Sequence, residues 1–258
     1  MKIALCISGQ MRTCKSTFPT VFRTLIAKYN PDIFIHTWNI VGISNKECEK
    51  LSDSVVPKGL LLQYKPKKYI VEEFNSDYID KLAGIEVPDV LKKYEPVNYK
   101  GNIPMYFKIK KCFELMSEYE DESGFKYDIV IRLRPDLDIY GDLPRLNDIE
   151  KDTIYLSHLN ITASDQFAMG DRDSMFYYSD LWSYLDEYWA DPIRSGEYKD
   201  ILVGERMMKY HLTRKESIKL KVIDADFIIR RLNDSKFKKI YQRVEFYVRR
   251  SYHKLRSR

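Results

Sequence analysis

The segment Tyr127-Asp-Ile-Val-Ile-Arg-Leu-Arg-Pro-Asp-Leu-Asp138 sets two carboxylates directly behind a near-continuous apolar run. Such a run, opening after the charged turn Glu120–Lys126, reads as a buried strand over Tyr127–Leu133. On extended backbone, residues two apart point to the same side, so Asp136 and Asp138 are expected to converge. Two converging carboxylates suit one hard divalent cation, Mn²⁺ or Mg²⁺, or one can hold the metal while the other holds a ribose. A cation there bridges two phosphates and neutralises charge gathering on a nucleotide leaving group. Arg132 and Arg134 flank the pair, placed to contact phosphate or the carboxylates themselves. The plain alternative is a pair of solvated turn aspartates after Pro135.

Other residues have chemistry to offer. Ser8, Gly9 and Arg12 follow the first apolar run; glycine lets backbone approach a ligand closely, and arginine pairs with phosphate. An ordinary turn with a surface arginine fits equally. Lys108, with Lys110 and Lys111, is a phosphate-facing candidate or part of a solvated helix face. His36 and Trp38 end the second apolar run, where a histidine is more often structural than a ligand. His211 lies nearly two helical turns from Glu205 and reads as structural.

The elements that must position these groups alternate in type. Strands are expected at Lys2–Ile7, Asp32–His36, Leu60–Gln63, Lys68–Val71, Tyr127–Leu133, Thr153–Leu156, Gln166–Met169 and Lys219–Ile223. Helices are expected at Phe18–Tyr29, Ile103–Glu118, Ser174–Glu187, Gly204–Leu212 and Lys236–Leu255, from apolar residues at helical spacing. The stretch around Pro88 and Pro96 reads as connecting structure. A strand–helix–strand opening implies an α/β chain with a parallel sheet, and ligands of such sheets bind beyond the carboxyl ends of the strands. Asp136 and Asp138 are expected at such an end.

The motifs Ser8-Gly-Gln-Met-Arg12, Asp32-Ile-Phe-Ile-His-Thr-Trp38 and Arg132-Leu-Arg-Pro-Asp-Leu-Asp138, in this order, resemble those of GT-A-fold glycosyltransferases of bacterial and viral surface-polysaccharide synthesis. The likeness covers about residues 1–215. It implies a single GT-A-like (Rossmann-like) domain over 1–229, with a mostly parallel sheet; residues 230–258 read, from their own charge and apolar spacing, as a basic amphipathic helical tail. It also implies a hexosyl- or deoxyhexosyltransferase using a UDP- or GDP-linked sugar, with Asp136 and Asp138 at the metal and Ser8, Gly9, Arg12, Lys108, Arg132, Arg134 and Asp136 at the nucleotide. Asp165 in Ser164–Gly170 resembles a residue of the sugar pocket; a strand cap is its plain alternative. Glu205 resembles the general base of inverting members, although Arg206 stands where they carry a second acid. A first-turn glutamate favoured by the helix dipole is the alternative there. A retaining mechanism stays open. Phosphatases of the haloacid dehalogenase type also place Asp-x-Asp after a strand, but with Thr two residues on, where this chain has Tyr140.

Composition narrows the remaining choices. A 258-residue chain can bury a core without staples, and its four scattered cysteines make neither a disulfide framework nor a zinc pattern. A reducing cytoplasmic setting is expected. The opening apolar run is shorter than the roughly 7–15 residues of a signal peptide's hydrophobic region. The net charge of +5 resides in residues 230–258, which hold eleven Lys or Arg against two acids, so residues 1–229 are net acidic. Residues 236–255 combine that charge with an aromatic stripe, which suits an anionic membrane surface and a glycan or lipid-linked acceptor on its cytoplasmic face. Packing on the domain or a dimer contact are alternatives for the tail. A nucleic-acid-binding protein is the non-enzyme alternative, but the acidic remainder of the chain speaks against a nucleic-acid partner.

Overall fold

The computed structural model describes residues 1–39, 58–73, 89, 99–195 and 204–231. The tail helix expected at Lys236–Leu255, and most of the connecting stretch before residue 99, lie outside the described residues.

The chain opens with β1 (Ile3–Ser8), buried throughout. Next come α1 (Cys14–Val21), a π-helical turn (Phe22–Ile26) and α2 (Ala27–Tyr29), so the helical stretch starts four residues before the expected Phe18. Pro19 lies inside α1, where it lacks a donor for the turn before it; the π turn follows directly. Asn30 takes the left-handed conformation and closes α2, the usual stop signal. β2 (Asp32–Trp38) then runs parallel to β1. Lys58–Leu62 forms a short helix, α3, where a strand over Leu60–Gln63 was expected. A short apolar run has no periodicity to separate the two, and Leu61 is buried in the core from the helix.

After β3 (Lys68–Glu72) comes α4 (Tyr99–Ser123), longer at both ends than expected. β4 (Ile129–Leu133) and β5 (Leu137–Gly141) follow, then β6 (Thr153–Leu156) and β7 (Phe167–Asp171). The single helix expected over Ser174–Glu187 is divided into α5 (Arg172–Ser179), a 3₁₀ stretch (Asp180–Tyr184) and α6 (Leu185–Ser195). α7 (Gly204–Thr213), β8 (Lys219–Val222) and β9 (Ala225–Ile229) complete the described elements.

Seven strands form one sheet in the order β3-β2-β1-β4-β7-β6-β8, and β5 pairs with β9 in a separate ribbon. β7 runs antiparallel to both neighbours; the other six strands share one direction. The α/β class and mostly parallel sheet therefore hold. Strand alternation sends Ile3, Leu5 and Ile7 into a core with Val21 and Leu25, and Ala4 and Cys6 into another with Ile109, Cys112, Phe113 and Met116 of α4. Each fully buried aliphatic side chain contributes about 1.5–3 kcal/mol, so burial on both faces holds β1 firmly in the sheet. Cys6, Cys14 and Cys112 are buried free thiols, and no described helix is long and apolar enough to cross a membrane.

Candidate active site

The register places the candidate residues along one edge of the sheet. Ser8 sits beside His36, Cys6 beside Arg132, and Arg132 beside Ala168. Beyond the end of β4, the Arg134 N–H donates to the Gln166 carbonyl at 2.8 Å. Because β7 is antiparallel, its first residues meet the last residues of β4, which brings Asp165 and Gln166 to the carboxyl edge.

Chain reversal decides where the two acidic residues go. The Leu137 N–H donates to the Arg134 carbonyl at 3.3 Å, so Pro135 and Asp136 occupy the corners of a β-turn, proline in its favoured first corner. Extended alternation therefore does not carry across Pro135, and the expected convergence of Asp136 and Asp138 is not what forms. Asp136 turns back: its Oδ1 accepts from Arg134 Nε at 2.6 Å and its Oδ2 from Nη2 at 3.3 Å, with Arg12 Nη1 at 3.9 Å. Asp138, already inside β5, accepts from Thr20 Oγ1 at 2.7 Å, from Tyr140 Oη at 3.4 Å and from the buried Arg230. Both aspartates are almost fully buried.

These contacts bear on metal binding. All four carboxylate oxygens accept hydrogen bonds, three of the five donor atoms belonging to guanidinium groups, and Arg12 adds an ion-pair contact to Asp136. Among the described residues, no three His, Cys, Asp or Glu stand together as a metal set. As arranged, the donor chemistry does not fit one divalent cation shared by Asp136 and Asp138, which rest against different neighbours.

Gly9 closes β1 with φ +117°, a conformation that favours glycine. Its would-be Cβ lies an ordinary 3.7 Å from Pro135 Cδ, so the backbone angle is the constraint, and the β1 turn packs directly on the β4 turn. Arg12 donates to Gln10 Oε1 from Nε at 2.9 Å and from Nη2 at 2.6 Å. Its side chain is 23% exposed and that of Arg134 19%, so both remain within reach of a ligand.

The second half of the site comes from the Ser164 turn and α7. Ser164 Oγ accepts from the backbone N–H groups of Gln166 (3.2 Å) and Phe167 (3.1 Å), a side-chain turn that sets Asp165 at its corner. Gly204 opens α7 against this turn: a Cβ there would meet Asn102 Oδ1 at 3.1 Å and Asp165 Oδ2 at 3.2 Å. Tyr106 donates to the Gly204 carbonyl at 2.7 Å, pinning α7 to α4. Glu205 Oε1 accepts from Gln166 Nε2 at 2.8 Å and lies 3.5 Å from His158 Nε2. The histidine hydrogen bond holds the Glu205 carboxyl below its ordinary range, and Glu205 raises His158 in return. Burial pushes Asp165 up to about 6, with Glu205 adding and Arg134 opposing. Asp165 and Glu205 therefore differ in kind: one is buried and reluctant to ionise, the other half-exposed and readily ionised.

Three polar groups in this region have no hydrogen-bond partner among the described residues: Ser8 Oγ, Asp165 Oδ1 and the whole guanidinium of Arg132. Arg132 is 2% exposed, with apolar cysteine and alanine neighbours across the sheet, and burial lowers its proton affinity. It was expected at a phosphate; it lies instead beneath the edge. Lys108 is also buried and does not offer a solvent-facing charge. It binds the Glu72 carboxylate, donates to the Thr37 carbonyl at 3.3 Å, contacts His36 Nδ1 at 3.1 Å and lies 3.5 Å over the Trp38 ring. Burial lowers Lys108 to about 8 and, with Lys108 beside it, His36 to about 3, so His36 is neutral. His211 contacts Tyr188 Oη at 2.8 Å and the Tyr177 carbonyl at 2.7 Å, a structural role.

His158, Gln166 and Arg230 escaped the sequence reading. His158 carried a faint signal, a lone histidine two residues past a strand; the partnership of Arg230 with Asp138 crosses 92 positions and left none. No family model matches the chain, and the search of curated proteins found no similar sequence.

Proposed function

We propose that the chain is a glycosyltransferase that moves a sugar from a nucleotide-sugar donor to a hydroxyl of a glycan or lipid-linked acceptor. The observation that carries this reading is the division of one sheet edge into two chemically opposite halves. Arg12 and Arg134 lie on the β1 and β4 side; Asp165, Glu205 and His158 lie on the β7 and α7 side. Arg134 acts electrostatically on both Asp165 and Glu205, so the halves adjoin. A diphosphate leaving group calls for cations, and a hydroxyl nucleophile calls for a nearby base. The motif order Ser8–Arg12, Asp32–Trp38, Arg132–Asp138 and the mixed, mostly parallel sheet agree with the GT-A-like architecture that the resemblance implies.

In the proposed reaction the acceptor oxygen bonds to the anomeric carbon as the bond from that carbon to the diphosphate oxygen breaks. The hydroxyl proton passes to Glu205, and the departing electron pair remains on the nucleoside diphosphate beside the arginines. Glu205 is the proposed base because a base must reach the hydroxyl: its side chain is 31% exposed, whereas Asp165 is 5% exposed. Inversion at the anomeric carbon follows from this single displacement. The test is a thermal-shift panel of UDP- and GDP-linked sugars with and without Mn²⁺. Stabilisation by one nucleotide class is expected; no binding under any condition rejects the reading.

A further inference from the structure

The sequence leads one to expect a divalent cation at the leaving group, yet the acidic residues that would hold it are bound to arginines. We propose that this chain holds the donor diphosphate with arginine in place of metal: Arg12 and Arg134 form the cradle, Asp136 aims them, and Asp138 is structural. The inference deepens the transferase reading and rests on it.

The geometry separates the two aspartates by role. Asp136 grips Arg134 through two nitrogens of one guanidinium, a fork that fixes the plane of the group while its remaining N–H edge stays available. Arg12 donates to Gln10, a neutral amide, and its guanidinium lies 3.9 Å from Asp136. Asp136 thus stands between two partly exposed guanidiniums and can aim both at the same edge. Arg132, two residues before Arg134 on the same strand, adds a third cation below. Its three nitrogens are buried with no hydrogen-bond partner among the described residues, a costly state that a dianion above the edge would relieve electrostatically.

Asp138 has no such freedom. Its carboxylate joins α1 through Thr20, its own strand through Tyr140 and the end of β9 through Arg230. Arg230 in turn gives its backbone N–H to the Asp136 carbonyl at 2.8 Å and accepts Thr13 Oγ1 at 3.1 Å. Recruiting Asp138 to a metal would take a carboxylate partner from a buried arginine and loosen three elements together.

The experiment is calorimetric titration of the full chain with UDP, GDP and inorganic pyrophosphate, once in EDTA and once in Mn²⁺. The expected result is binding of one nucleotide in EDTA, changed little by Mn²⁺ and competed by pyrophosphate. Arg134→Gln and Arg12→Gln should each weaken it about 10- to 100-fold, the loss of one or two charge-assisted hydrogen bonds. Arg12 is the more exposed of the two, so its variant remains informative if Arg134→Gln folds poorly. Binding that requires Mn²⁺, survives Arg134→Gln and disappears in Asp138→Asn overturns the arginine cradle and leaves the transferase reading standing. If no nucleotide binds in either buffer, both readings fall.

Discussion

Asp165→Asn is expected to make the protein more stable, and the gain should depend on pH; on the proposed transferase reading it also slows sugar transfer. The carboxyl is 5% exposed, its Oδ1 has no hydrogen-bond partner among the described residues, and burial moves its ionisation from 3.8 to about 6. Charging it in the folded chain therefore costs about 3 kcal/mol more than charging it in the unfolded one. An amide of the same shape removes that cost but buries a new N–H pair, so a net gain of about 1–2 kcal/mol is expected at pH 8. The sign follows from proton counting. Above pH 6 Asp165 is ionised in both states and the full cost applies. Between 6 and 3.8 the folded state holds the proton more tightly, and the cost shrinks as pH falls. Below 3.8 both states are protonated and it is gone. Urea denaturation of the two proteins at pH 8 and near pH 4 measures this directly. A variant less stable at pH 8, or a gain unchanged at low pH, would refute the assignment of a strained, ionised Asp165.

Three further outcomes follow from the same contacts. Asp138→Ala should cost about 3–5 kcal/mol in a thermal or urea melt, because Arg230 is left charged and buried; a near-neutral effect would return Asp138 to the candidate metal ligands. Arg132→Met, close in volume and apolar, should raise stability by about 1–4 kcal/mol while weakening nucleotide binding in titration. Glu205→Gln should keep the Gln166 contact through its amide oxygen yet lower kcat about 10²- to 10⁴-fold. Unchanged turnover there would move the base to Asp165. The Glu205–His158 pair also has a pH window. His158 is raised, so its contribution is full below about 6.5 and is lost as pH rises through its folded value; Glu205 is depressed, so its contribution is lost only on acidification below about 4.5. Stability of His158→Asn relative to the parent across pH 4–9 reads out both edges.

Much of the frame was legible because it rests on local pattern. β1, β2 and β4 are apolar runs closed by turn residues, and α7 is an amphipathic stretch opened by glycine, so their existence could be read residue by residue. The carboxyl-edge location of Ser8 and Arg134 follows from those elements, whereas Asp165 reaches that edge only because β7 runs antiparallel to β4. What resisted is what depends on turns and distant partners. Pro135 could be seen, but its effect, breaking the alternation between Asp136 and Asp138, required knowing that the chain reverses there into a second sheet. β5 and β9 are paired with each other, and neither is convincing alone, because a five-residue strand is fixed by its partner more than by its own sequence. Leu60–Gln63 failed for a different reason: a short apolar run lacks the length that separates helix from strand.

The distribution of charge across the edge gives the most direct argument about what the site is built to do. A protein selected for stability alone has no reason to keep Arg132 under a sheet edge, or to bury Asp165 against the first turn of α7, with the guanidinium and one carboxylate oxygen lacking hydrogen-bond partners among the described residues. These two charges oppose each other's costs only partly, since Arg132 is a lesser influence on Asp165 than burial itself or Arg134. Folding therefore holds them apart at a standing energetic cost, one on the cationic side and one on the carboxylate side. A ligand that is anionic at one end and carries hydroxyls at the other would relieve both: its anion answers Arg132 through Arg134, and its hydroxyls answer Asp165 Oδ1. A nucleotide sugar has that polarity along its length. On the proposed transferase reading, the stored cost at the edge becomes binding energy oriented along the donor, with Glu205 beside the sugar rather than beside the phosphates.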